Sequence, residues 1–442
     1  MSYLSINDAD RAAMLEAIGV ASIDELFEQI PESVRLDREL ELPPALGETE
    51  LVRHMEELAS RNVHTGVELS FLGAGVYDHY VPSVVDVVLS RGEFLTAYTP
   101  YQPEMSQGTL QAIFEYQTVI CELTGMDVAN ASGYDGTTVA ADACFVARHV
   151  SDRSRVVLSE AVNPQVRQVV KTYAPGFGLE VVEVPHENGT TDPTRIAEAA
   201  RDAAAVFFQQ PNFLGCLEAA PELAAAANDA GALSIAHVDP MSLGVLEAPG
   251  AYGCSIALGE GQSAGNWPSY GGPHYGFIAM RQDFVRRMPG RIVGQTVDAD
   301  ERRGFVLALQ TREQHIRREK ATSNITTNQT LLALAGLATL SWLGPEGLRE
   351  VGEACLALQA YARERIPLEP AFDAPSFKEV AFRTPLPARE VIRRAREKGV
   401  HPGYALGRDY EGMDDVLLVA VTEKRTVEDV DRLAEVLEEV CR

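Results

Sequence analysis

Lysine is scarce in this sequence: five lysines stand against 33 arginines in 442 residues, and the 148 positions from Thr172 to Glu319 contain none. That gap excludes a Gly-x-x-x-x-Gly-Lys phosphate loop among the glycine-rich stretches there, and with it any chemistry needing a local amine. Basic residues are few overall, 38 against 64 acidic for a net charge of −26. A field of that sign repels phosphate backbones and anionic lipid, so neither nucleic acid nor a membrane surface is expected as a partner. The six cysteines are scattered singly with no CxxC pair, which excludes a disulfide framework and implies reduced thiols. No two of the nine histidines lie within five residues of each other, so a zinc site is not expected. The start, MSYLSINDADRAAM, carries acids where a leader needs basic residues. The longest apolar stretch, Leu331 to Leu343, is too short to span a bilayer. A cytoplasmic protein is expected.

What is present is the composition of a folded chain, 46% hydrophobic and 23% charged. At roughly 150 residues per domain it holds two to three domains. Residues 1–60 repeat acidic and apolar positions at helical spacing, predicting a helical N-terminal segment. Residues 61–345 alternate β-branched runs (RVVLSEAV, LEVVEVP, AAVFFQQP, LSIAHVDP, YGFIAM) with helical stretches at Gly108 to Leu123, Gly136 to His149 and Pro221 to Ala230. That alternation predicts a large α/β domain with a mainly parallel sheet. Residues 346–442 predict a small C-terminal α+β domain: FKEVAFRTP and DDVLLVAVTE as strands, LPAREVIRRAREKG and TVEDVDRLAEVLEEV as helices, the last capped by Thr426.

Several constellations bear on chemistry. Leu72 to Asp78 (LGAGVYD) lacks the third glycine of a dinucleotide loop and reads as a plain glycine turn. Tyr98 to Glu104 (YTPYQPE) places Tyr98, Tyr101, Gln102 and Glu104 on a proline-stiffened loop, suited to a small polar substrate or to a structural turn packing its aromatics. Asp239, in HVDP, closes a predicted strand at a sheet's carboxyl edge, where a carboxylate partners a pyridinium nitrogen or caps the next turn. The loop LGEGQSAGNWPSYGGPHYGF follows without the lysine that would anchor a carbonyl cofactor. Arg281 to Ile325 concentrates cations, either pairing with the chain's own carboxylates or meeting an acidic partner.

The segments YTPYQPEMSQGTLQAIFEYQT, DVANASGYDGTT, PSYGGPHYGFIA, PGRIVG and TREQHIRREKATSNI resemble the signatures of the glycine decarboxylases, the P-proteins of the glycine cleavage system. They span Phe71 to Gln329, and the chain length is similar to that of the α subunit (subunit 1) of two-subunit forms. The resemblance implies a type I pyridoxal-phosphate, aminotransferase-like fold with a large and a small domain. It also implies decarboxylation of glycine, with transfer of the aminomethyl group to the lipoyl H-protein. In that family the cofactor lysine belongs to the β subunit. The chain is therefore expected to bind no pyridoxal phosphate covalently, to be inactive alone, and to form an α₂β₂ heterotetramer. Asp239 becomes a remnant of the pyridinium partner, and Tyr98, Tyr101, Gln102 and Glu104 are expected to line the β subunit's pocket. Two alternatives stand beside this one. The chain could be a purely structural or regulatory subunit, or a standalone pyridoxal-phosphate decarboxylase using Lys320, the only lysine expected near the core.

Overall fold

The computed structural model describes residues 5–36, 38–321 and 323–442. The chain divides into two units, Met1–Val63 and His64–Arg442. The first contains helices α1 (Asp8–Ile18) and α2 (Glu48–Ala59). Asn7 caps α1, its side chain accepting from the N–H of Ala9 and Asp10 while Asp10 accepts from the N–H of Asn7. None of the described residues of this unit is buried. Its helices therefore rest on local hydrogen bonds and caps, without a core of their own.

The second unit is built on seven strands: β1 (Val128–Ala129), β2 (Arg155–Ser159), β3 (Glu180–Val184), β4 (Ala203–Gln210), β5 (Leu233–Val238), β6 (Ile256–Glu260) and β7 (Gly276–Met280). Their order is β1-β7-β6-β5-β4-β2-β3. Strands β2 to β6 pair in parallel, while β7 runs antiparallel to β6 and β1. Val206, Phe207, Phe208, Ile235 and Leu258 are completely buried, the near-continuous apolar composition of strands covered on both faces. On one face Phe207 and Leu158 pack with Val139 and Val166 from helices α4 (Gly136–Ser151) and α5 (Pro164–Phe177). On the other, Val206 and Phe208 pack with Tyr116 and Leu223 from helices α3 (Gln107–Thr124) and α6 (Ala220–Asp229). The arginine-rich interval hides an antiparallel hairpin, Ile292–Val297 with Arg303–Ala308. Its Val293, Phe305 and Leu307 pack on Leu110 and Ile113, so this interval is partly core.

Helix α7 (Thr330–Arg365) follows and is broken at Gly344, where φ is +61° ahead of Pro345. By length and composition it is the one helix among the described residues that would qualify as a membrane span. Here its buried Ala333, Leu334, Ala335 and Leu340 serve the core. The C-terminal layer is an antiparallel sheet ordered β8-β9-β11-β10, from β8 (Glu369–Pro370), β9 (Glu379–Arg383), β10 (Tyr404–Ala405) and β11 (Val416–Ala420). Helices α8 (Ala388–Arg396) and α9 (Val427–Val440) cover it around Phe382, Leu417, Val419 and Leu433. The carboxyl ends of β4, β5 and β6 and the start of α4 point the same way, toward the beginning of β9.

Candidate functional site

Where these elements meet lies a cavity of about 320 Å³. Strand β5 delivers Asp239 to its floor, as expected for a residue just past a parallel strand. Asp239 is not free. Ser263 donates to its Oδ1 at 2.9 Å, and the Lys378 ammonium lies 2.6 Å from its Oδ2. Lys378, immediately before β9, is 3% exposed. Its Nζ also sits 3.5 Å from the centroid of the Tyr77 ring and 2.8 Å from His79 Nε2. Burial opposes ionisation of Asp239, but the Lys378 ammonium, with the bond from Ser263, outweighs it and holds the carboxyl below its ordinary value.

This placement corrects one expectation: Lys378, and not Lys320, is the lysine of the core, for Lys320 is exposed. The available signal was a lysine between Phe377 and a strand, in a chain that uses lysine so rarely.

The ammonium donates to the unprotonated Nε2 of His79, so the ring's proton sits on Nδ1 and is donated to Glu423 Oε2 at 2.6 Å. Burial would raise the Glu423 carboxyl, yet bonds from His79 and the Tyr80 N–H bring it down to about 2. His79, Cys355 and Glu423 have ligand atoms within 4.8 Å of one another. A divalent cation there would face the Lys378 ammonium across the imidazole, so the group serves as a hydrogen-bonded relay and not a metal centre. Next to it Asp78 pairs with Lys424 and Arg425 at 2.6 and 2.9 Å, and the Tyr77 hydroxyl donates to Glu379 Oε2. Burial pushes Glu379 up to about 7. The LGAGVYD turn thus fastens the large layer to the small one.

At the opposite end of the cavity α4 begins. Asp135 caps it, accepting from the N–H of Thr138 at 2.8 Å and the hydroxyl of Thr137 at 2.6 Å. The N–H of Gly136 donates to Glu260 Oε2 at 3.0 Å. A Cβ on Gly136 would lie 2.8 Å from the Glu260 nitrogen, which is why glycine stands there. Burial, reinforced by Asp135, raises Glu260 to about 8. His237 also lines the cavity, and burial lowers it to about 4.

The tyrosine loop lies elsewhere: Tyr98, Tyr101, Gln102 and Glu104 line none of this cavity. Tyr98 and Tyr101 instead sit over the arginine-rich interval. Arg291 Nη2 donates to the Tyr101 hydroxyl at 2.9 Å, with its guanidinium 5.3 Å from that ring's centroid. Thr327 donates to the Tyr98 hydroxyl at 2.9 Å. A second hollow of about 110 Å³ lies beside Tyr98, Arg291 and Thr327. Gln102 and Glu104 are exposed. Arg291 lies in the PGRIVG signature and the arginine-rich interval but was not read there as a partner of Tyr101, and Thr327 belongs to no signature singled out from the sequence.

The glycine cleavage system P-protein family matches residues 1–437. The chain belongs to that family. It is 52% identical over 438 residues to the probable glycine dehydrogenase (decarboxylating) subunit 1 of Moorella thermoacetica, covering 98% of each chain. A crystal structure of glycine decarboxylase (P-protein) of the glycine cleavage system, in inhibitor-bound form, matches with a TM-score of 0.91 at 43% identity over 100% of both chains. The aspartate aminotransferase of Thermus thermophilus, 17% identical, matches with a TM-score of 0.58 over 84% of this chain and 99% of its own. The family member described here therefore has the type I pyridoxal-phosphate fold.

The cofactor of that fold would require an amine for its carbonyl, an anion for its ring nitrogen and a helix N-terminus for its phosphate. In this chain the loop between β6 and β7 has no lysine, Asp239 is paired with Lys378, and the first N–H groups of α4 are taken by the side chains of Asp135 and Glu260. The residues present do not fit the cofactor.

Proposed function

We propose that this chain is the α subunit of a glycine dehydrogenase (decarboxylating). With a β subunit that carries pyridoxal phosphate, it would decarboxylate glycine and pass the aminomethyl group to the lipoyl H-protein. We place the assembly in the cytoplasm as an α₂β₂ heterotetramer. The observation that carries this reading is the paired Asp239 of a chain otherwise matching a subunit 1 along nearly its whole length: its carboxylate is neutralised from within by Lys378.

On this reading the chain's chemical contribution comes from its surface loop. Arg291 donates to the Tyr101 oxygen, so the phenol's own O–H proton stays free to donate outward. Tyr98, held by Thr327, and the exposed Gln102 and Glu104 complete a polar edge that can orient a small substrate or the lipoyl arm in the β subunit's pocket. The test is glycine–bicarbonate exchange with H-protein, using the co-expressed αβ complex. The chain alone should show no exchange. Tyr101→Phe should lower turnover of the complex roughly tenfold to a hundredfold, the scale of one lost transition-state hydrogen bond. Unchanged kinetics would remove the loop from the site, while exchange by the isolated chain would overturn the subunit reading.

A further inference from the structure

Three groups enclose the end of the Lys378 side chain: the Asp239 carboxylate at 2.6 Å, the Tyr77 ring face at 3.5 Å and the His79 Nε2 at 2.8 Å. A primary ammonium has three donors and no acceptor. Here it meets an anion, a π face and a nitrogen lone pair. All three partners precede the small layer in the chain. Asp239 comes from the carboxyl edge of the main sheet, and Tyr77 and His79 from the turn beside it, which is held both by the main sheet's Gln262 and by Glu379 and Glu423 of the C-terminal layer. The N–H and C=O of Tyr77 bond Gln262. Lys378 alone comes from the C-terminal layer.

We infer that the large layer carries a binding site for a primary alkylammonium ion, and that Lys378 is its built-in occupant, seated where a cofactor's ring cation would otherwise neutralise Asp239. The far end of the same cavity is closed in a parallel way, since the first N–H groups of α4 are met by Asp135 and Glu260 instead of a phosphate. The cavity thus keeps about 320 Å³ open while its carboxylate and its helix start are both met by the chain itself. This holds whether or not the chain joins a glycine dehydrogenase, so its test is independent of exchange activity.

Lys378→Ala deletes Cγ to Nζ, the outline of n-propylammonium. The full-length variant should melt well below the unaltered chain. Added n-propylammonium chloride should raise that melting temperature in a saturable way, as expected for an ion bound only by the folded state. Sodium chloride or sodium propionate at equal concentration should not, and the unaltered chain should gain nothing from the amine. If the variant is recovered only unfolded, its refolding yield with and without n-propylammonium makes the same comparison. No selective gain in either measurement overturns the proposal. Lys378→Ala combined with Asp239→Asn should fold without the amine and respond no more than the unaltered chain; an equal rescue of this double variant would place the binding elsewhere and also overturn it. Finally, equilibrium dialysis of the unaltered chain against pyridoxamine 5′-phosphate, which cannot form an imine with a lysine, should show no saturable binding. One-to-one uptake would mean that the chain's own groups do not hold Asp239 and the start of α4, and would overturn the proposal.

Discussion

A buried charge is tolerable only with its partner, and Lys378 and Asp239 show what that requires. Removing either leaves the other unpaired at the cavity wall, a loss of up to about 3–5 kcal/mol. Lys378→Met and Asp239→Asn should each destabilise on that scale in urea unfolding, whereas the double variant, with no charge left to neutralise, should recover most of it. Additive losses in the double variant would deny the coupling. Glu423 gives the neighbouring prediction. Its carboxyl titrates near 2 in the folded chain against 4.5 for the free side chain. Between those values the unfolded chain holds the extra proton, so this group's stabilisation is complete above about 4.5 and is lost as pH falls toward 2, at about 1.4 kcal/mol per pH unit. In Glu423→Gln that component of the acid slope should vanish, and an unchanged slope would show that the relay contributes nothing. Asp239 was legible in the sequence because HVDP follows a β-branched run. Lys378 was not. In FKEVAFR it reads as an outward polar position of an alternating strand, and only the main sheet packed against that strand's start turns it inward.

Elements were read best where one side-chain period ran without interruption. RVVLS, AAAVFFQQ and LSIAHV announce the central strands through β-branched and aromatic residues. The expected Thr426 cap of α9 forms as a capping box, and Asp135, which the sequence reading did not single out, caps α4 in the same way. Strand β6 was missed because IALGE runs straight into a glycine-rich loop. The Ile292 to Ala308 hairpin was missed because its arginines and acids look like solvated surface, although every second residue of IVGQTV and RGFVLA near its base faces α3. The start of α4 shows how tightly such junctions are built. Gly136→Ala would drive a methyl group into the backbone of Glu260, with an expected cost of about 1–3 kcal/mol from overpacking. The same variant should weaken the Gly136–Glu260 bond, exposing the Gly136 amide to faster hydrogen exchange. Wild-type melting and exchange would mean the strand end gives way freely.

At the scale of the whole second unit, the polar contacts form a continuous seam. Lys378 to Asp239, Tyr77 to Glu379, His79 to Glu423 and Asp78 to Lys424 and Arg425 all join the C-terminal layer to the main sheet or its preceding turn. In an enzyme that closes on a cofactor, such a boundary would be free to open; here it is fastened by groups whose separation would strand several buried charges. A layer held this way should not open by itself. Amides of β9 and β11 should therefore exchange only with global unfolding, at the same free energy as β4 and β5. In Lys378→Ala the anchor at the centre of the seam is gone while the apolar core around Phe382 and Leu433 is intact. The small sheet should then open below the global transition, visible by native-state hydrogen exchange as earlier exchange in β9 and β11 with β4 and β5 still protected. Simultaneous exchange of all four strands in the variant would assign the cohesion to apolar packing alone. If, as proposed, Tyr98 and Tyr101 face another subunit, rigidity of this kind holds them in place there, because they gain nothing from a scaffold that breathes beneath them.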